Sequence, residues 1–333
     1  MLTVICPIYN EERYISDCVE SILRQDYDHG DMEVLFVDGM STDETREILR
    51  TYIAQHPFIK LLDNVRRTVP YAMNIGIKAA KGDTILRLDA HAKYPTDYFS
   101  VLVRQLQALG ADNVGALCRT LPAKETPRCR AIAAAMSSGF GMGNSYFRVG
   151  AKEIMEVDTV PFGCYRKEVF EKIGLYDEEL TRNQDDELNG RLRKSGGKIY
   201  LLPALVIDYF ARDTMKKTAK MFYQYGLYKP LVNKKLGSPA TIRQFVPLLF
   251  VLELVLGTVA SLFSRTLLAA HLAVITLYLL LALTASAKAG GGVRQTLLQV
   301  AAYLTIHTSY GWGYIIGIWK VLTRQQFSAR VNR

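Results

Sequence analysis

The sequence has no C-x-x-C pair, no G-x-G-x-x-G after its first apolar run, and no G-x-x-x-x-G-K-[ST] anywhere. Its cysteines, five in 333 residues (Cys6, Cys18, Cys118, Cys129, Cys164), are scattered and odd in number. That excludes a disulfide scaffold and argues against a thiolate zinc site. The missing glycine motifs exclude the dinucleotide fingerprint and the phosphate-cradling loop. Internal repeats are absent, and the composition rules out collagen-like, low-complexity and disordered classes.

Acidic residues are nearly missing from one region. Residues 1–210 carry 26 Lys and Arg against 30 Asp and Glu, whereas residues 211–333 carry 15 against 2. The net charge of +9 therefore belongs entirely to the C-terminal third. Positive charge alone is one sign of nucleic-acid binding. Here it coincides with the apolar part of a chain whose mean hydropathy is +0.06. Basic and apolar together point to a membrane with an anionic surface and not to nucleic acid.

Residues 2–6 read as a buried strand ended by Pro7, not as a targeting segment. Strands at 33–38, 59–62, 84–89, 114–120 and 198–202 alternate with helical patterns at 11–25, 43–55, 70–80, 95–109, 167–173 and 184–195. Such alternation calls for an α/β fold with a mostly parallel, Rossmann-like sheet between helical layers. Residues 121–162, rich in Ala, Gly and Ser, read as irregular chain looping over the sheet. The expected organisation is a catalytic domain over 1–210, basic interfacial helices over 211–243, a membrane region over 244–322 and a basic tail over 323–333.

Within 214–237, six lysines are interleaved with aromatic and aliphatic residues, the mix of an interfacial helix. Apolar stretches at 245–263, 267–283 and 297–319 are each long enough to cross a bilayer, the middle one barely. Glu253, Gln299 and His307 interrupt the first and third. With the catalytic domain in the cytosol, Lys288 and Arg294 fall inside, as the positive-inside rule requires. A third full crossing would put the basic tail outside, so three spans and two spans plus a re-entrant segment both remain open. Gly313 and Gly317 form a small-xxx-small pair suited to close helix packing.

Ligands of doubly wound sheets bind at the carboxyl ends of the strands. Three polar clusters sit there: Pro7-Ile8-Tyr9-Asn10-Glu11-Glu12, Val37-Asp38-Gly39-Met40-Ser41-Thr42-Asp43 and Leu88-Asp89-Ala90-His91. Any one alone reads as a helix cap; three on one edge read as a site. Asp89 and His91 offer a hard oxygen and an imidazole, a set suited to Mn2+ or Mg2+ holding a diphosphate. Asp185-Asp186-Glu187 brings three carboxylates together near a helix start, where one is available to take a proton from an attacking hydroxyl.

These motifs resemble the inverting glycosyltransferases of family 2, which have the GT-A nucleotide-diphospho-sugar transferase fold. The resemblance covers about residues 1–210. Val157-Asp158-Thr159-Val160-Pro161-Phe162-Gly163, the run Asn183-Gln184-Asp185-Asp186-Glu187-Leu188-Asn189 and the apolar C-terminus resemble the succinoglycan-biosynthesis glucosyltransferase branch. The resemblance implies that Pro7, Tyr9 and Glu11 line the base and ribose pocket, with Tyr9 stacking, and that Asp38 accepts from the nucleobase or ribose. It implies that Asp89 and His91 sit at the ribose and the metal-bound diphosphate, and that Asp185 is the catalytic base, with Asp186 second. Two departures stand out: Gly39 replaces a second Asp, and His91 replaces the second Asp of the D-x-D motif.

The expected protein is a membrane-bound inverting transferase at the cytosolic face of the cell (inner) membrane. It takes a nucleotide-diphospho-sugar, a UDP-hexose in the first instance, and a lipid-linked acceptor of the polyprenyl diphosphate kind, for extracellular or capsular polysaccharide. The alternative enzyme transfers to a polyprenyl monophosphate, and the Asp-Ala-His in place of Asp-Ala-Asp weighs against it. A processive synthase would want Gln-x-x-Arg-Trp after the base, which Gln224-Tyr225-Gly226-Leu227-Tyr228 does not supply. A sugar-binding scaffold with a dead site is disfavoured because all the proposed acidic ligands (Glu11, Asp38, Asp89, Asp185 and Asp186) are present.

Overall fold

The computed structural model describes residues 1–327; of the basic tail expected over 323–333, residues 328–333 lie outside the described residues. The chain divides into two units. One comprises Met1–Arg119 with Gly150–Tyr209, the other Thr120–Val149 with the chain from Phe210.

The first unit holds strands β1 (Leu2–Ile8), β2 (Met32–Asp38), β3 (Ile59–Asp63), β4 (Thr84–Arg87) and β5 (Asn113–Leu121), which runs into the second unit. Helices α1 (Ile15–Leu23), α2 (Thr45–Gln55), α3 (Val69–Ala79) and α4 (Tyr98–Ala108) connect them. β1 and β2 are almost wholly buried apolar runs, as strands covered on both faces by helices must be. β1 pairs in parallel with β2 and β4, and β2 with β3. β1 continues through Pro7 to Ile8 instead of ending at the proline. Ile5 O accepts from β4's neighbour Leu88, so alternation turns Pro7 to the same side, where the pairing with β4 has stopped at Ile5. The missing N–H costs no ladder bond there.

The helical pattern then resumes with α5 (Pro127–Met136), α6 (Gly139–Met142) and α7 (Tyr146–Val149) in the second unit. The stretch expected to be irregular thus contains three helices, two of them of only four residues, with irregular chain between them. Back in the first unit come β6 (Met155–Glu156), β7 (Cys164–Arg166), α8 (Lys167–Ile173), α9 (Gln184–Lys194) and β8 (Ile199–Phe210). The sheet order is β3-β2-β1-β4-β7-β5-β8-β6, with β7 antiparallel to both β4 and β5, and β6 antiparallel to β8. The sheet is therefore mixed, with its parallel half at β1–β4. All five cysteines are buried and none is in a disulfide, as expected of structural thiols.

The second unit continues with α10 (Met215–Leu236), α11 (Phe245–Ser261), α12 (Arg265–Lys288) and α13 (Gly292–Leu322). α10 lies against α13 at glycines: a Cβ on Gly313 would meet Tyr223 O, one on Gly317 would meet Leu227 O, and one on Gly226 would meet Tyr310 O. The small-residue pair foreseen in the sequence therefore packs on α10. α13 is one unbroken helix of 31 residues, with Gln299, Tyr303, Ile306 and His307 buried. By length and composition, two segments are apolar enough to cross a membrane: Ile242–Ser261 and Arg265–Lys288. Their leucines and valines are largely exposed, with Leu256 62% and Leu277 57% accessible. Large apolar side chains turned outward on two long helices fit a lipid surround far better than water.

Candidate active site

The loops after β1 and β2 are tied together by side-chain caps. Asn10 N donates to Ser41 Oγ at 2.8 Å, Thr42 N to Asn10 Oδ1 at 2.9 Å, and Glu11 N to Thr45 Oγ1 at 2.7 Å. Asn10 and Met40 both adopt left-handed backbone, with φ of 54° and 61°. Asn tolerates that region; for Met it is strain that the surrounding bonds must hold. Gly39 lies under Tyr9, where a Cβ would come 3.2 Å from the Tyr9 ring. The Arg67 guanidinium stands 5.9 Å from the centre of that ring.

Asp38, at the end of β2, is fully buried. Its carboxylate accepts from Ser41 N at 3.0 Å, from Ser41 Oγ at 2.5 Å and from Arg46 Nη1 at 2.6 Å. Arg46 also reaches Asp63 at 2.8 Å, so one guanidinium clamps the ends of β2 and β3. Both Asp38 oxygens are thus engaged within the protein.

Two residues beyond β4, Asp89 Oδ1 lies 2.9 Å from His91 Nδ1, and Glu11 Oε1 lies 3.7 Å from the same nitrogen. Burial alone would lower the His91 pKa, but the Asp89 carboxylate, with Glu11, raises it to about 10. Burial likewise opposes charge on Asp89, and His91 overrides it, holding Asp89 at about 2. Tyr94 fixes the turn: its hydroxyl accepts from Asp89 N at 2.8 Å and donates to Asp89 O at 3.2 Å.

Arg87 ends β4 inside an otherwise apolar strand. Its Nη1 donates to both oxygens of Asp185 in the first turn of α9, and its guanidinium lies 5.7 Å from the centre of the Phe162 ring. Burial disfavours charge on Arg87, yet Asp185 raises its pKa above the ordinary value. Phe162 has φ +49°, unusual for a bulky residue, and Asn183, which precedes α9, has φ +57°. Asp186 is half-buried on the same turn. α9 itself is anchored by Arg191, which pairs with Glu187 at 2.6 Å and donates to the carbonyls of Ile173, Gly174 and Leu175.

The polar clusters read from the sequence therefore form one chain of contacts along the carboxyl edge of β1, β2 and β4. It runs from Asp38 through Ser41 and Asn10 to Glu11, His91 and Asp89; Arg87, two residues before Asp89, carries it to Asp185. Sequence reasoning missed the basic partners Arg46, Arg67 and Arg87. The one signal for Arg87 was a charge inside the run Thr84-Ile85-Leu86-Arg87-Leu88, since a cation in a buried strand requires a partner.

Among the described residues no group of three His, Cys, Asp or Glu forms a metal cage. Asp89 with His91 still fits a divalent ion that draws its other ligands from substrate phosphates and water, the way Mg2+ is commonly held.

The sequence model of glycosyl transferase family 2 matches residues 3–174. The chain is 32% identical over 242 residues to the dolichyl N-acetyl-alpha-D-glucosaminyl phosphate 3-beta-D-2,3-diacetamido-2,3-dideoxy-beta-D-glucuronosyltransferase of Methanococcus voltae, covering 70% of this chain and 74% of that one. It is 31% identical over 247 residues to the succinoglycan biosynthesis protein ExoA of Rhizobium meliloti, covering 74% of each. Among solved structures, the mannosyltransferase PcManGT from Pyrobaculum calidifontis, in complex with GDP-Man and Mn2+, superposes with a TM-score of 0.57 at 19% identity over 96% of this chain and 87% of that one. Staphylococcus aureus TarS 1-349 superposes at 0.52 with 20% identity over 70% and 64%. An acidic strand edge on this mixed sheet, a family match across more than half of the chain and two long relatives above 30% identity lead to one assignment: the chain belongs to glycosyl transferase family 2 and is a glycosyltransferase with a GT-A-like fold.

Proposed function

We propose that the protein is a membrane-bound inverting transferase that moves a sugar from a nucleotide-diphospho-sugar to a lipid-linked acceptor at the cytosolic face of the inner membrane. The observation that carries this reading is the Arg87–Asp185 pair. It ties the carboxylate of α9 to the last residue of β4, two positions before Asp89 and four before His91, so in this reading a base and a diphosphate-binding pair share one edge.

In this reading Tyr9, backed by Arg67 and flanked by Pro7 and Glu11, stacks on the nucleobase. Asp38 holds the loop beneath it through Ser41 and Arg46. Asp89 and His91 face the diphosphate and would hold Mn2+ or Mg2+, which when bound supplies positive charge to the departing nucleoside diphosphate. Asp185, held in place by Arg87, takes the proton of the attacking hydroxyl, with Asp186 as the second carboxylate of the turn. Displacement from the face opposite the leaving group inverts the anomeric centre. The two apolar helices, the basic C-terminal unit and the lipid-phosphate sugar in the name of the Methanococcus relative support a lipid-linked acceptor.

The test offers purified protein UDP-glucose, UDP-galactose, UDP-N-acetylglucosamine and GDP-mannose with Mn2+ or Mg2+ and a membrane lipid extract, beside Asp185→Asn. The expected result is metal-dependent release of one nucleoside diphosphate, with transfer into the lipid fraction, both lost in the variant. Transfer to free sugars as readily as to lipid removes the lipid acceptor. Full turnover by the variant removes Asp185 as base.

A further inference from the structure

The second unit contains an open pocket of about 530 Å³ lined by two arginines and two leucines. Thr126, Pro127 and Arg128 line it from the start of α5, and Arg294, Leu297 and Leu298 from the start of α13. Arg128 and Arg294 are both exposed, and among the described residues neither meets a carboxylate. Arg130, one turn position on, is by contrast paired with Glu125 at 3.4 Å. Leu297, at 59% exposure, turns its side chain outward beside the two cations. Unpaired guanidinium groups next to bare leucines suit an amphiphile with an anionic head.

The position along the chain specifies the amphiphile further. α12, one of the two helices apolar enough to cross a membrane, ends at Lys288. The chain then turns through Gly290, Gly291 and Gly292, all with positive φ, and reaches Arg294 in the first turns of α13. With α12 in the bilayer, Arg294 follows within six residues of its end, at headgroup level. Two arginines, each able to hold phosphate oxygens in a two-pronged fork, match the charge of a diphosphate better than that of a singly charged phosphodiester.

We propose that this cavity binds the phosphate or diphosphate of the lipid-linked acceptor, with Arg128 and Arg294 clamping its oxygens and Leu297 and Leu298 taking the first isoprenoid units. The assignment rests on the lipid-acceptor reading above and adds the place where the lipid phosphate is held.

The full-length protein in detergent is titrated with farnesyl diphosphate, with no sugar donor and no metal present. Arg128→Gln and Arg294→Gln are each expected to weaken binding on the order of tenfold, the effect of losing one charge-assisted contact. Arg130→Gln, away from the cavity, is expected to bind as the parent does. Inorganic diphosphate is expected to bind at least tenfold more weakly than farnesyl diphosphate, because it leaves the leucines bare. Equal binding by both arginine variants and the parent overturns the site. Inorganic diphosphate binding as tightly as farnesyl diphosphate reduces it to a free-phosphate site. Displacement by phosphatidylglycerol vesicles as effective as by farnesyl diphosphate makes it a general anionic-lipid contact and overturns the acceptor assignment. Because this titration needs no turnover, a failed transferase reading registers separately, in the donor-hydrolysis assay.

Discussion

Replacing Asp185 by asparagine keeps the shape of the side chain but removes the carboxylate that Arg87 meets. The Arg87 side chain is 10% exposed and that of Asp185 28%, so the pair is well buried on one side only. Removing one partner of a buried pair costs about 3–5 kcal/mol, and the partial exposure of Asp185 puts this case near 3. The asparagine carbonyl recovers about 1 kcal/mol through one remaining hydrogen bond. Arg87 Nε has no acceptor, and the Phe162 ring is already in place in the parent, so neither compensates. The net loss is about 2 kcal/mol, which for a unit of this size lowers the melting temperature by about 4–8 °C. Loss of a general base lowers kcat by roughly 10²–10⁴. Arg87→Met combined with Asp185→Asn should restore most of the melting temperature and none of the turnover. Thermal unfolding of the three proteins, read beside donor turnover, separates the effects. An unchanged melting temperature in Asp185→Asn would refute the buried-pair argument, and turnover within a few-fold of the parent would refute the base.

Three further outcomes follow from the same geometry. Metal-free His91, with its pKa near 10, is an imidazolium at neutral pH and must release its proton to take a metal, so Mn2+ affinity should rise about tenfold per pH unit between pH 6.5 and 8.5; a flat profile in a competition titration rejects His91 as ligand. Tyr9→Ala should weaken donor binding by about 1–3 kcal/mol while Tyr9→Phe stays near the parent, because the ring and not the hydroxyl stacks on the base; calorimetric titration with the nucleoside diphosphate distinguishes them. Gly313→Ala should destabilise the α10–α13 contact by about 1–3 kcal/mol, since its Cβ meets the backbone of Tyr223 and Leu227; protease resistance of the full chain that equals the parent's would contradict the close packing.

The strands β1 to β5 were legible because each is an apolar run bounded by polar residues, and the expected boundaries fall within two residues of the observed ones. β7 was not: three residues, Cys164-Tyr165-Arg166, carry no periodicity, and their strand character comes from slotting between β4 and β5. Helix α5 was hidden because half of its buried side chains are alanines, Ala131, Ala133 and Ala135, which leave only a weak apolar stripe to read. The acidic half of the site was visible because carboxylates before helices stand out. Its basic half depends on pairings between residues far apart in sequence, Arg87 with Asp185 above all, and local pattern does not encode them.

The insertion of β7 also orders the events of biosynthesis. β1 to β4 find their partners within the first 87 residues, so the parallel half of the sheet is complete in a short stretch of nascent chain. β5 has no bond to β4 and joins this nucleus only when residues 164–166 have emerged to bridge them. Asp185 comes later still, 98 positions after the arginine it meets. A chain interrupted before that point holds β1 to β4 without the carboxylate that Arg87 meets, and the sheet itself closes only later, when β8 (Ile199–Phe210) emerges to seat β6 beside it.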